Sequence, residues 1–167
     1  MTEEVKRNYL EINSLQDLKE GSKISSDYSL SLIEPINFQL NKFFYKNIGK
    51  NHKWIDRLIW SEEKWINYVS SKNLRTYVLK HKNDLVGFFE LIYHPKNSET
   101  EIAYFGILEE YQNKKLGSYL LSEAIKISFK NNVNRVWVHT CSLDHKNALN
   151  NYISRGMKIF KTENLNI

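Results

Sequence analysis

The segment Tyr111-Gln-Asn-Lys-Lys-Leu-Gly-Ser118 sets two lysines beside a helix start, a combination suited to a polyanion. The first amides of a helix have no partner inside it, and the helix dipole adds partial positive charge there. Gln112, Asn113, Lys114, Lys115, Leu116, Gly117 and Ser118 are therefore candidates for a pyrophosphate cradle, with Lys114 and Lys115 reinforcing it. The same turn also reads as an ordinary strand-to-helix loop. Glu101 and Glu90 each lie in an apolar strand, where a carboxylate with a raised pKa can accept a proton. The plainer reading has Glu101 starting its strand in solvent and pairing with a lysine. His139, Cys141 and His145 invite a metal reading, but H-x-C-x3-H is not a standard zinc spacing and three ligands do not close a site. Cys141 as a nucleophile would need a neighbouring base; packing in a strand is the simpler role. Walker, G-x-G-x-x-G, G-x-S-x-G and H-E-x-x-H motifs are absent.

The elements that position these residues follow from hydrophobic period and punctuation. Strands are expected over Tyr9–Asn13 and Tyr28–Ile33, and a helix over Ile36–Ile48 ending near Gly49. Ser61 suits the N-cap of a second helix, with Glu62 and Glu63 in its first turn. Leu74–His81 and Leu85–His94 read as strands joined by Lys82-Asn-Asp84. A further strand spans about Glu101–Leu108, with Ala103, Phe105 and Ile107 on one face and Ile102 and Tyr104 on the other. Both faces are apolar, which predicts a central strand covered on both sides. A helix over Lys114–Lys130, a strand over Arg135–Cys141, a helix capped by Asp144 and ending at Gly156, and a short strand over Met157–Lys161 complete the order. Strand, helix and strand over 101–141 predict a parallel crossover, hence an α/β fold with a mixed central sheet and helices on both faces.

The chain has 167 residues, 41% hydrophobic and 26% charged, which fits one globular domain and excludes global disorder. No apolar run reaches the ~20 residues of a membrane span. The first residues lack an apolar leader and the single cysteine cannot form an internal disulfide, so a cytoplasmic protein is expected. The net charge of +5 raises nucleic-acid binding, but the lysines spread along the whole chain as a compositional bias.

Gln112-Asn-Lys-Lys-Leu-Gly117 resembles the [QR]-x-x-G-x-[GA] phosphate motif of the GNAT superfamily of acetyl-CoA-dependent N-acetyltransferases. Glu101-Ile-Ala-Tyr-Phe-Gly-Ile107 resembles the E-I-V-F-C-A-[IV] strand of its histone acetyltransferase branch, and Ala148-x-x-x-Tyr152-x-x-x-Gly156-Met157 resembles the family's A-x-x-x-Y-x-x-x-G-F ending. W-I-D-R-L-I-W and V-H-T-C-S-L-D-H look like a bacterial subgroup of unassigned substrate.

The resemblance implies a single GNAT domain over 1–167, with 1–27 an N-terminal extension that can hold an extra strand. It implies acetyl transfer from acetyl-CoA to a primary amine by direct attack in a ternary complex, without metal. Phe105, Gly106 and Ile107 would lie along the pantetheine arm, and backbone amides of 113–118 on the pyrophosphate. The acetyl carbonyl would sit near the backbone of Ile107, where an N–H can stabilise an oxyanion. Glu101 would be the general base, Glu90 the alternative carboxylate, and Tyr152 the proton donor to the thiolate unless it is plain core. Trp54, Asp56 and Trp60 would line the acceptor site or simply pack. Lys115 departs from the motif's first glycine, and His145 stands where many members place an asparagine on the pantetheine arm. The chain leaves little room for the family's last strand, a gap Tyr9–Asn13 can fill. Many members are dimers, so a homodimer is a candidate state. A non-catalytic acyl-CoA-binding module, suggested by Lys115, is the alternative; a nucleic-acid-binding protein is a weaker one.

Overall fold

The computed structural model describes residues 4–166. Met1–Glu3, on which part of the leader reading rests, and Ile167 lie outside the described residues. The strands are β1 (Glu4–Ile12), β2 (Tyr28–Leu32), β3 (Leu74–His81), β4 (Asp84–His94), β5 (Glu99–Ile107), β6 (Arg135–Cys141) and β7 (Lys158–Asn166). The helices are α1 (Phe38–Gly49), α2 (Glu62–Val69), α3 (Leu116–Phe129) and α4 (Ala148–Ser154). One seven-stranded mixed sheet runs in the order β2-β3-β4-β5-β6-β1-β7, antiparallel except between β5 and β6. This is the α/β architecture expected from the sequence.

Strand alternation sends successive side chains to opposite faces, and the two faces carry separate cores. Leu79, Phe89, Ile102 and Val136 pack with Leu120 and Ala124 of α3. Val78 and Phe88 pack with Phe44 and Ile48 of α1 on the other side. Asn37 caps α1 by accepting from the Gln39 amide, and Ser61 caps α2 by accepting from the Lys64 amide, each at 3.1 Å.

Three expectations are corrected. The β4–β5 register shifts between Glu90 and Leu91, leaving Ala103 without a partner in a bulge. Side-chain parity flips there, so Ile102, Phe105 and Ile107 share the α3 face and only Tyr104 joins the α1 side. The final strand is not a short Met157–Lys161 segment but nine residues long, because its polar second half pairs along β1. Finally, Asp144 does not cap α4. The cap position is Asn147, whose side chain makes no capping bond, and the Asp144 carboxylate instead accepts from Thr140 Oγ1 (2.6 Å), the Cys141 amide (2.9 Å) and Trp54 Nε1 (3.1 Å).

The α1 face is locked by an ion pair in an aromatic box. Glu90 is 0% exposed, and its carboxylate accepts from Arg57 Nη1 (3.2 Å) and Nη2 (3.1 Å), Asn41 Nδ2 (2.9 Å) and the Tyr68 hydroxyl (2.6 Å). The Arg57 guanidinium lies 4.2 Å from the ring centres of both Tyr68 and Tyr104, and 4.8 Å from that of Trp60. Burial opposes the arginine's charge, but Glu90 more than offsets it and holds the pKa above its usual value. Arg57 N donates to the Tyr45 hydroxyl at 2.9 Å, so the same residue pins the loop after α1. Removing one partner of a buried pair strands the other charge, at a cost of about 3–5 kcal/mol. Arg57→Ala is therefore expected to lower the urea midpoint by that equivalent, whereas an exposed control such as Lys72→Ala stays within about 0.5 kcal/mol. A small loss for Arg57→Ala would contradict the clamp.

Candidate active site

β5 and β6 pair only at Glu99↔Arg135, Thr100↔Val136 and Glu101↔Trp137, then part. The gap opens into a cleft of about 940 Å³ bounded by residues 102–107 of β5, Val138, His139 and Cys141 of β6, the turn before α3, and α4. Leu108 N donates to Val86 O at 2.8 Å, and Gly106 sits opposite Phe88 in the same antiparallel register. Alternation along the ladder therefore turns the N–H groups of Phe105 and Ile107 away from β4 and into the gap. A β5 edge with free amides thus lines the cleft, the arrangement that can pair with an extended amide-bearing chain.

At the cleft's far end the turn to α3 is wound tightly. Gln112 Nε2 donates to Ile107 O at 2.7 Å, so this side chain ties the turn to the strand end. Asn113 and Lys115 both adopt left-handed backbone, at φ 64° and 63°. Lys115 is the residue before α3, which explains why a glycine suits that place and what its absence strains. Lys114 turns away, its Nζ 5.5 Å from the Tyr111 ring centre, and is not part of the lining. Leu116 is buried beneath the helix start. Ser118 Oγ is used by the fold: it donates to Lys115 O at 3.0 Å and accepts from the Ser22 amide at 3.1 Å. Gly117 O accepts from Asn151 Nδ2 at 3.1 Å, fixing α4 against α3. What remains for an anion is the backbone of Asn113 and Lys115–Ser118, all of which line the cleft.

The other expected residues fall into place unevenly. Gly106 lines the cleft but has a packing reason too, since a Cβ there would stand 2.8 Å from Ile48 Cγ2. Tyr152 is buried against the cleft with its ring 6.3 Å from that of Phe105; burial, then Asp144, pushes its phenol pKa well up. His145 lines the cleft, and its Nδ1 accepts from the Asn147 amide at 3.1 Å. Its pKa is lowered by burial, then by His52 and Lys146. Trp54 and Asp56 line the cleft, and Trp54 donates to Asp144 across it. Trp60 does not reach the cleft; it packs on Arg57.

The two carboxylates separate clearly. Glu90 is consumed by the Arg57 clamp and is not part of the cleft's lining. Glu101 stands beside the apex, the last residue of β5 paired with β6, next to Ile102 where the lining begins but, like Glu90, not itself part of that lining. It is not sealed between two faces: its side chain is 19% exposed and Oε1 lies 3.0 Å from His94 Nε2. The His94 ring stacks on Trp137 with centres 6.1 Å apart. Residue patterns alone did not single out His94 or Arg7 of β1, which lines the cleft opposite Cys141. Both depend on long-range pairing that no local period reveals. His139 and Cys141 share a strand face, yet among the described residues no three His, Cys, Asp or Glu side chains gather into a metal-holding group.

A sequence model described as the acetyltransferase (GNAT) family matches residues 38–157. The chain belongs to the GNAT acetyltransferase family. The parted strands and the turn at 112–118 both lie inside the matched region. Among solved structures, a GCN5-related N-acetyltransferase from Sphaerobacter thermophilus matches with a TM-score of 0.74 at 14% identity, over 99% of this chain and 52% of that one. A conserved protein of unknown function from Staphylococcus epidermidis matches at 0.67 and 18% identity, over 98% and 61%. An aminoglycoside acetyltransferase from an uncultured soil metagenomic sample matches at 0.65 and 14% identity, over 80% and 90%. At such identities the likeness concerns the fold. The chain spans 52% and 61% of the lengths of the first two of these structural relatives. No curated protein sequence matches it. Among the described residues, no helix is long and apolar enough to cross a membrane.

The left-handed backbone at Lys115 gives a direct stability test. A side chain there costs about 1–2 kcal/mol relative to right-handed backbone, part of which glycine loses again through its freer unfolded state. Lys115→Gly is expected to raise unfolding free energy by up to about 1 kcal/mol in urea titrations, and Lys115→Ala to leave it near wild type. Equal effects of the two would refute strain at this position.

Proposed function

We propose that the chain is an N-acetyltransferase that moves an acetyl group from acetyl-CoA to a primary amine by direct attack in a ternary complex. The observation that carries this reading is the parting of β5 and β6, with the Phe105 and Ile107 amides turned into a gap that ends at the α3 N-terminus. The donor, when bound, supplies a thioester to be attacked by the amine. Its fit rests on free β5 amides for an amide-bearing arm and on the α3 amides, with Lys115 beside them, for phosphates.

Within that reading each residue has a definite task. The amides of Phe105 and Ile107 pair with the arm and favour negative charge at the acyl oxygen. Glu101 takes the proton from the amine, directly or through water, because an amine is mostly protonated at neutral pH. Tyr152 returns a proton to the departing sulfur; its raised pKa keeps the phenol neutral, and so a donor, across the working pH range. Trp54, Asp56 and His139 form the acceptor end, and His145 contacts the pantetheine arm. The unpaired Cys141 fits a reducing, cytoplasmic setting.

Two measurements check this. Acetyl-CoA should bind stoichiometrically in calorimetry at roughly micromolar Kd, about 8 kcal/mol. Against a panel of primary amines, Glu101→Gln should lower kcat by about 10²–10⁴ while leaving that Kd unchanged. Full kcat in Glu101→Gln would remove Glu101 from the mechanism, and absence of binding up to about millimolar would remove the donor.

A further inference from the structure

Strand β1 lies outside the region shared with the family model, and it carries a cation into the acceptor side of the cleft. On that face β1 and β6 oppose each other in the order Glu11↔Trp137, Tyr9↔His139, Arg7↔Cys141, leading outward from the apex at Glu101. Arg7 lines the cleft, and its Nε is buried with no hydrogen-bond partner. No ion pair among the described residues includes it. Its register neighbour on β7, Glu163, is close enough to feel the Arg7 charge, but its direct contacts go to Lys161 Nζ at 2.9 Å and to the Tyr9 hydroxyl. By contrast Arg135, on the neighbouring β6, holds Glu99 at 3.1 Å and Glu11 at 3.4 Å. A guanidinium is a fork of fixed donors matched to a carboxylate, and leaving a buried N–H unmade is costly. His139, between Arg7 and the apex, has its pKa lowered by desolvation and by Arg7, which keeps a second cation from competing for the anion.

We propose that the acceptor is an elongated amine whose far end carries a carboxylate, held by Arg7 while the amine reaches toward Glu101. Register sets the length. Cys141 lies four residues beyond Trp137, about 13 Å along the strand, and Arg7 on β1 is two strands from Glu101 on β5, about 10 Å across, so roughly 16 Å separates the two backbones before the reach of both side chains is subtracted. A compact α-amino acid is too short, and an ω-amino acid or a peptide-borne amine with a nearby carboxylate fits. The specificity is opposite in sign to that of an aminoglycoside, whose added charges would meet Arg7.

This inference rests on the acetyl-transfer reading for its chemistry but is tested separately through binding. β-Alanine, γ-aminobutyrate and ε-aminocaproate, each beside its own neutral amide, are titrated by NMR into the free chain and the coenzyme A-saturated chain. Initial rates are measured in parallel with acetyl-CoA. The wild type should prefer carboxylate over amide by about tenfold or more in Kd or KM, most for the longest pair. Arg7→Gln should abolish that preference while leaving the amide's Kd unchanged, and Arg7→Lys, which retains the charge, should keep part of it. Equal affinity for acid and amide in the wild type, or equal losses for both in Arg7→Gln, would overturn the assignment. Discriminating binding without turnover would uphold Arg7 and reject the transferase reading; turnover without discrimination would do the reverse.

Discussion

The structure turns on two parallel strands that pair for three residues and then separate. A sheet that opens leaves backbone amides without partners, and such groups demand satisfaction from somewhere. Every other strand here is paired along most of its length, so the opening is confined to one seam. β6 is free to leave β5 because β1 pairs it along its other edge, from Ile12↔Val136 to Arg7↔Cys141. β5 in turn is held by β4, with the bulge at Ala103 re-aiming its outer half. Gln112 then closes the strand's last free carbonyl within the fold, at Ile107, and leaves the amides for a ligand.

The acceptor end is built by a different force. Loop residues 50–60 have little regular structure, yet Arg57 anchors them by a desolvated ion pair and a ring of aromatic faces. Trp54 extends from that anchor to Asp144, and His52 Nδ1 lies 3.2 Å from Leu143 O, so the loops after α1 and β6 meet across the cleft. Packing thus gives rigidity to a wall that secondary structure alone would not supply. The same loop leaves Ile59 90% exposed, which shows how selectively the clamp buries its neighbours.

Much of this was legible in the residues. Ser61 caps its helix as its type suggests, and the strand–helix–strand around 101–141 follows from period alone. The candidate turn at 112–118 does sit at the end of the opening seam. What escaped was non-local. A bulge depends on the partner strand's register, so strict alternation misplaced Phe105 and Ile107 relative to Ile102. The polar run Thr162–Asn166 has weak strand character and is ordered only by pairing with β1. Glu90 and Trp60 looked like chemistry because their types allow it, whereas three-dimensional packing spends both on Arg57. Arg7 was silent because its place in the cleft comes from the pairing of β1 with β6, which no single segment can display.

The most direct test of the parted seam is amide hydrogen exchange, followed residue by residue with and without acetyl-CoA. If the donor lies between β5 and β6, exchange should slow at Phe105, Ile107 and the first turn of α3, while Gly106 and Leu108, already facing β4, change little. Binding that protects other amides and leaves Phe105 and Ile107 as they were would place the donor elsewhere and contradict the site described here.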